Sequence, residues 1–128
     1  MMNRVVISLG SNINPEENIK KAKQQIGLKH RILAESAVVE TKPVDFSAQP
    51  NFLNGVVLIE TGMNFSELKD WLHQVENQMG RVRETNKYGP RTIDLDVVVW
   101  NGQVIDEDMN TRDFLRVSVL EVWPDLIF

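Results

Sequence analysis

Residues 87–100 read KYGPRTIDLDVVVW and join a basic loop and a Gly-Pro turn to a valine-rich run. The β-branched and aromatic residues that end this run predict a buried β-strand. Residues two apart on a strand point to the same face, so Asp94 and Asp96 are expected side by side, about 7 Å apart at Cα. The predicted strand therefore carries two neighbouring carboxylates where it leaves the turn.

The two carboxylates suggest a metal site. Carboxylates this close repel each other unless a cation lies between them. A hard cation that prefers oxygen ligands, such as Mg²⁺, fits the pair, and Arg91 just upstream fits a phosphate. The alternative is an edge strand whose solvent face merely carries two aspartates, and the flanking basic and turn residues weigh against it.

Length and composition indicate an ordinary globular protein. The chain has 128 residues, of which 42% are hydrophobic and 25% are charged, and it is interpreted as a single domain spanning residues 1–128. It contains no cysteine, which excludes a disulfide framework and thiolate metal ligands, and two histidines, which disfavours a histidine-rich zinc site. No signal peptide or membrane-length apolar run is evident, so a cytoplasmic location without a membrane partner is expected.

The charge distribution favours a phosphate ligand over a nucleic acid. The net charge of −4 disfavours binding to a nucleic-acid backbone. Locally, four cations lie within eleven residues, opposed inside that window by one acidic residue. They are Arg81, Arg83, Lys87 and Arg91, with Glu84 as the acid. Such a loop beside the aspartate pair suits a polyphosphate bound with its metal, and a solvated surface loop is the alternative.

Apolar periodicity predicts an alternation of strands and helices. The predicted strands are residues 4–9, 32–41, 52–61 and 94–100, and the predicted helices begin at Asn14 and Asn64 and stop at Gly27 and Gly80. Asn101-Gly102 then predicts a tight hairpin. The order β-α-β-β-α-β predicts an α+β fold, a ferredoxin-like antiparallel sheet with helices on one face and a C-terminal helix or turn.

Residues 88–96, YGPRTIDLD, resemble the signature of the 6-hydroxymethyl-7,8-dihydropterin pyrophosphokinase family, which belongs to folate biosynthesis. Other segments agree in order and spacing, namely LGSN at 9–12, TKP at 41–43, QPNFLN at 49–54, Glu76, and GRVR at 80–83. The resemblance implies Mg²⁺-dependent transfer of a diphosphate from ATP to the hydroxymethyl oxygen of the pterin, with release of AMP. The expected partners are ATP and the pterin, and the protein is expected to act as a monomer.

The resemblance also implies the residues of the phosphate side. Asp94 and Asp96 would be the ligands of two Mg²⁺ ions bound with ATP, and Arg81 and Arg91 would be the catalytic residues that act on the phosphates. The implied nucleotide contacts are Arg83, Tyr88 and Arg112. For Glu76 two interpretations stay open, either holding an arginine near Arg81 or simple solvation.

The implied pterin contacts are Thr41, Pro43, Val44, Phe52, Asn54 and Phe114. Two aromatic plates and an amide that reads the ring edge suit a flat ring with a polar edge. On strand statistics alone, a core position is the more frequent role for Phe52. Asn54 shares its strand face and requires hydrogen-bond partners if it is buried.

The chain departs from the family pattern before its final helix. The family has a longer segment there, with a Pro-His pair and basic neighbours that contact ATP, whereas this chain has residues 106–111, DEDMNT. A pterin-binding paralogue with weak or no kinase activity is therefore an alternative function. A ferredoxin-like nucleic-acid module is a third, and the acidic charge disfavours it.

Overall fold

The computed structural model describes residues 2–43, 48–80 and 90–128. The strands are β1 (Asn3–Ser11), β2 (Arg31–Glu35), β3 (Val39–Thr41), β4 (Phe52–Thr61), β5 (Asp94–Trp100) and β6 (Gln103–Val104). The helices are α1 (Pro15–Lys29), α2 (Phe65–Gln78) and α3 (Asp113–Val122), and a 3-10 helix (Glu107–Asn110) precedes α3. The strands form an antiparallel sheet in the order β2-β4-β1-β5-β6, and β3 continues the β2 edge by pairing with the start of β4. The predicted α+β fold is confirmed.

Helices cover both faces of this sheet. The two crossover helices, α1 and α2, pack on one face as predicted, over a core that includes Ile7, Ile59 and Leu95. The C-terminal helix α3 packs on the opposite face, over a second core that includes Leu58 and Val98. Because both faces of the central strands are buried, β1 reads as a continuous apolar run rather than an alternating one.

Local signals placed several boundaries correctly. Asn64 and Glu67 form a capping box at the start of α2, and Gly80 follows the helix with a positive φ of 87°. The hairpin predicted at Asn101-Gly102 joins β5 to β6, and both residues have positive φ angles, as a type I′ turn requires.

Three other predictions differ from the structure. Helix α1 runs through Gly27 and ends at Lys29, and the N–H of His30, which follows the helix, donates to the Ile26 carbonyl. Asn14 precedes α1 in the left-handed region, where its side chain makes no capping hydrogen bond. The strand predicted at 32–41 is split, because the Ala37 N–H donates to Oε2 of Glu121 on α3 at 2.8 Å instead of pairing with β4.

In the part of the chain that the structure describes, no helix is long and apolar enough to span a bilayer.

Candidate active site

A cavity opens on the α3 face of the sheet, where β1 ends and β5 begins. Its floor consists of two rows of residues across the central strands. Gly10 of β1 pairs with Asn54 of β4 and with Asp94 of β5. One step deeper, Ser8 pairs with Val56 and with Asp96. The cavity is lined by Ser8, Leu9, Gly10, Asn54, Gly55, Val56, Asp94, Asp96, Asp106, Asp108, Arg112, Phe114, Leu115 and Ser118.

Strand alternation brings the two predicted metal ligands to this cavity together. Leu95 and Val97 enter the core under α1 and α2, and the aspartates on either side of Leu95 therefore face α3. Asp94 is half-buried and Asp96 is exposed. Both carboxylates line one cavity, which is the geometry that the i, i+2 spacing predicted.

Two further carboxylates, Asp106 and Asp108, face the pair from the segment before α3. Oδ1 of Asp106 accepts the Asp108 N–H at 2.9 Å, and Oδ2 of Asp108 lies 3.6 Å from Nε of Arg112. Burial raises the pKa of Asp106, and the negative charges of Asp108 and Asp94 raise it further, while the Asp108 N–H and Arg112 partly offset the rise. The cavity thus concentrates negative charge that a bound cation would relieve.

The donor set suits Mg²⁺ bound together with phosphates. Across residues 2–43, 48–80 and 90–128, no group of three or more His, Cys, Asp or Glu side chains is arranged to hold a metal ion. Mg²⁺ in phosphate-transfer sites is commonly held by one or two carboxylates plus substrate phosphates and water, rather than by a full protein cage. Asp94 and Asp96 supply two such carboxylates.

The opposite wall of the cavity carries the amide of Asn54. Its Nδ2 donates to Oγ1 of Thr41 at 2.6 Å, which fixes the plane of the amide. Its Oδ1 lies over Gly10, where an added Cβ would come within 2.9 Å of it. The Asn54 amide therefore occupies space that is available because residue 10 has no side chain.

The predicted pterin residues fall around this amide. Phe114 lines the cavity from α3. Half-buried Phe52 lies two residues before Asn54 on β4 and pairs with Thr41 of β3. Pro43 lies two residues beyond the end of β3. Among the other predicted site residues, Val44, Arg81, Arg83 and Tyr88 lie outside the described residues.

Glu76 holds β5 from the other face of the sheet. The side chain is 1% exposed, so the solvation interpretation is wrong. Its Oε2 accepts the N–H of Leu95 at 2.8 Å, directly between the two aspartates. A buried carboxylate is retained only where hydrogen bonds and charges compensate it, and this one fixes the strand that carries the metal ligands.

Arg91 is held through its main chain by the turn after β1. Asn12, which is 3% exposed, accepts the Arg91 N–H with its Oδ1 at 2.8 Å, and the Asn12 N–H donates to the Arg91 carbonyl at 3.1 Å. In the sequence, residues 9–12 served only as part of the family resemblance, and this role was missed. The signal that could have found it is a run of small and polar residues directly after a strand buried on both faces.

Comparison with known proteins gives a consistent result. The sequence model of the family described as 7,8-dihydro-6-hydroxymethylpterin-pyrophosphokinase matches residues 6–124. The chain is similar to proteins named 2-amino-4-hydroxy-6-hydroxymethyldihydropteridine pyrophosphokinase from three bacteria. These are the proteins of Haemophilus influenzae (35% identity; 94% of this chain and 82% of the relative), Bacillus subtilis (38%; 94% and 75%) and Pseudomonas aeruginosa (33%; 98% and 84%).

Proposed function

The chain belongs to the 7,8-dihydro-6-hydroxymethylpterin-pyrophosphokinase family, and we propose that the cavity on the α3 face is its active site. The protein transfers a diphosphate from ATP to the hydroxymethyl group of 6-hydroxymethyl-7,8-dihydropterin in folate biosynthesis, with release of AMP. One observation carries the assignment of the site: the Asp94/Asp96 pair and the Asn54 amide face each other across Gly10 in a single cavity.

The pterin is proposed to bind on the β4 side of the cavity. Asn54, oriented by Thr41, presents an amide to the polar edge of the ring. Phe114 and Phe52 offer the aromatic faces between which a flat ring stacks. Pro43 and Val44 are assigned to the same pocket from the family resemblance.

The phosphates of ATP are proposed to bind on the β5 side. Asp94 and Asp96 would hold Mg²⁺, two ions with ATP, and the metal would neutralise charge on the phosphate oxygens. Arg91 lies three residues before β5, and Arg81 is assigned to the phosphates with it. The nucleotide contacts are assigned to Arg83, Tyr88 and Arg112, of which Arg112 lines the cavity.

The two halves of the cavity set up an in-line displacement. The hydroxymethyl oxygen of the pterin attacks the β-phosphorus of ATP and loses its proton, the bond from that phosphorus to the α-phosphate oxygen breaks, and AMP leaves with the oxygen. Little covalent help is required from the protein, because positioning and charge neutralisation dominate phosphoryl transfer. Asn54 positions the acceptor, and Arg91 neutralises charge that develops on the transferred group.

Residues 1–128 are proposed to work as one domain and as a monomer in the cytoplasm. The β1, β4, β5 and α3 residues that line the cavity belong to one sheet and its covering helix, which supports a single domain. Light scattering on purified protein tests the monomer directly, and a mass of twice 14.7 kDa would contradict it.

The decisive experiment is an AMP-release assay with purified protein. AMP is expected only when ATP, Mg²⁺ and the hydroxymethyl pterin are all present. Folded protein that releases none would refute the enzymatic function. The acidic segment around Asp106 and Asp108, where the family resemblance leads one to expect basic residues, makes a pterin-binding paralogue the specific alternative. Calorimetry that detects pterin binding but no ATP binding would favour that alternative.

A further inference from the structure

Asn12 is a buried polar residue that the mechanism above does not use. Its N–H and its Oδ1 together engage the carbonyl and the N–H of Arg91. In a regular antiparallel pair, the Arg91 N–H would donate to the main-chain carbonyl of Asn12. Here it donates to the side-chain oxygen Oδ1 of Asn12 instead. The main chain of Arg91 is thus held at both of its polar groups. Oγ of Ser11 adds a long contact to the same carbonyl, at 3.4 Å.

The other end of the Asn12 amide engages a different segment. Its Nδ2 donates to Oε1 of Gln49 at 2.7 Å and to the carbonyl of Pro50 at 3.0 Å. An amide nitrogen has two N–H groups, so both of its donors are used. Strand β4, which carries Phe52 and Asn54, begins directly beyond this segment.

We propose that Asn12 is a positioning residue that couples the pterin side of the cavity to Arg91. This inference rests on the proposed action of Arg91 at the phosphates. One buried side chain bonds both to the segment that leads into the pterin strand and to the main chain of Arg91, so their relative position depends on it. A misplacement of about 1 Å at a positioning group can cost about 10²-fold in rate. Asn12 therefore governs turnover more than the affinity for either substrate.

Three variants separate the contacts. Asn12→Ala removes every side-chain bond. Asn12→Asp keeps the oxygen that accepts the Arg91 N–H but replaces the nitrogen that donates to Gln49 and Pro50 with a second carboxylate oxygen. Gln49→Ala removes one acceptor of the Asn12 amide and leaves the Asn12–Arg91 pair in place. Asn18→Ala is the matched control, because Asn18 is a half-buried amide that donates to the carbonyl of Ile13 in the same turn.

The test measures kcat and both KM values in the wild-type and Arg91→Ala backgrounds. In the wild-type background, Asn12→Ala should lower kcat about 10²-fold and change either KM less than about threefold, and Asn12→Asp and Gln49→Ala should lower kcat by about tenfold. In the Arg91→Ala background the same changes should cost less than about threefold, because coupled residues are not additive. Asn18→Ala should change neither kcat nor either KM value.

Several results would overturn the coupling. Equal losses of kcat in both backgrounds would make Asn12 merely structural. Unchanged kcat in Asn12→Asp and Gln49→Ala would also refute it, and these two variants decide the matter if Asn12→Ala does not fold. If Arg91→Ala itself leaves kcat unchanged, the proposed role of Arg91 fails and the coupling fails with it. Amide exchange at Arg91, measured without ligands, should quicken in Asn12→Ala and stay unchanged in Asn18→Ala.

Discussion

Replacing Gly10 by alanine tests whether the pterin pocket depends on the space above this residue. The new Cβ would lie 2.9 Å from Oδ1 of Asn54, and its next neighbours, at 3.9 and 4.0 Å, also belong to β4. Ordinary van der Waals contact begins near 3.4 Å, so the amide must retreat by about 0.5 Å. The same amide is bonded to Thr41 at 2.6 Å, and the displacement strains or breaks that bond.

The size of the effect follows from this displacement. The Asn54 amide is half-buried, and the bound pterin is proposed to cover it. A polar group that is buried without its partner costs about 1–3 kcal/mol, which corresponds to about 5- to 150-fold in a dissociation constant. We therefore expect Gly10→Ala to weaken pterin binding by about 10- to 100-fold. ATP binding should change little, because the atoms nearest the added methyl lie on β4 and not on β5.

Titration calorimetry with the pterin, and separately with a non-hydrolysable ATP analogue and Mg²⁺, measures both affinities. The matched control is Gly27→Ala, whose Cβ meets Ile32 at an ordinary 3.5 Å inside helix α1, and it should leave both affinities intact. Pterin affinity within threefold of wild type in a folded Gly10→Ala protein would refute the argument. An equal loss for the ATP analogue would refute it too, since the strand as a whole would then have moved.

Three further predictions concern charged and titratable residues. Asp96→Asn should abolish Mg²⁺-dependent binding of the ATP analogue with little change in melting temperature, because this exposed carboxylate is proposed to hold the metal. Glu76→Ala should lower the free energy of unfolding in urea by about 1–3 kcal/mol, because the Leu95 N–H loses its buried acceptor, and Glu76→Gln should recover part of the loss. Burial, and secondarily the charge of Lys29, lowers the pKa of His30 below 6.5. As the pH falls, the unfolded state therefore takes up the His30 proton before the folded state does. The contribution of neutral His30 to stability is thus present above pH 6.5 and is lost at lower pH. His30→Phe should therefore flatten the fall in melting temperature between pH 7 and 5.

Each of these predictions has a control and a contrary result. For Asp96→Asn the control is Asp125→Asn, which removes an aspartate outside the cavity lining and should leave ATP binding unchanged. A large loss of stability in Asp96→Asn would mean that Asp96 has a structural role instead. A Glu76→Ala protein as stable as wild type would mean that the Leu95 bond contributes nothing. The ring of His30 packs against Trp71 in a T-shaped contact, which phenylalanine can keep. The matched control is His73→Phe. An unchanged pH profile in His30→Phe would contradict the titration argument.

The features that could be predicted from the sequence are those encoded by neighbouring residues. The helix start at Asn64 and the Asn101-Gly102 turn are each encoded within a few residues, and both were predicted correctly. The shared face of Asp94 and Asp96 followed from strand alternation. The contacts that were missed act over long separations. The polar partners of Asn12 lie 37 to 79 residues away, and Glu76, whose role the sequence left open, accepts the Leu95 N–H across the helix–strand interface. The local sequence marks neither set of partners.

Gly27 and Asn14 show the converse error. Each is a typical helix-boundary residue, and local propensity alone would end or cap α1 there. The helix nevertheless continues two residues past Gly27, with the neighbouring Ile26 fully buried in the core, and Asn14 takes a left-handed conformation without a capping hydrogen bond. Propensity is a difference of about 1 kcal/mol, and tertiary packing outweighs it.

The central place of β1 has a consequence for how the chain reaches its native state. This strand is synthesised before both of its partners, which are β4, as in the Asn3–Thr61 pair, and β5, as in the Val5–Trp100 pair. Closing such distant pairs is slow, because the loss of loop entropy precedes the gain from pairing. Until β5 emerges during synthesis, β1 presents an unpaired edge that is apolar on both faces, which is the condition that favours aggregation and dependence on chaperones. The strand that forms the floor of the active site is thus also the point at which folding is most vulnerable.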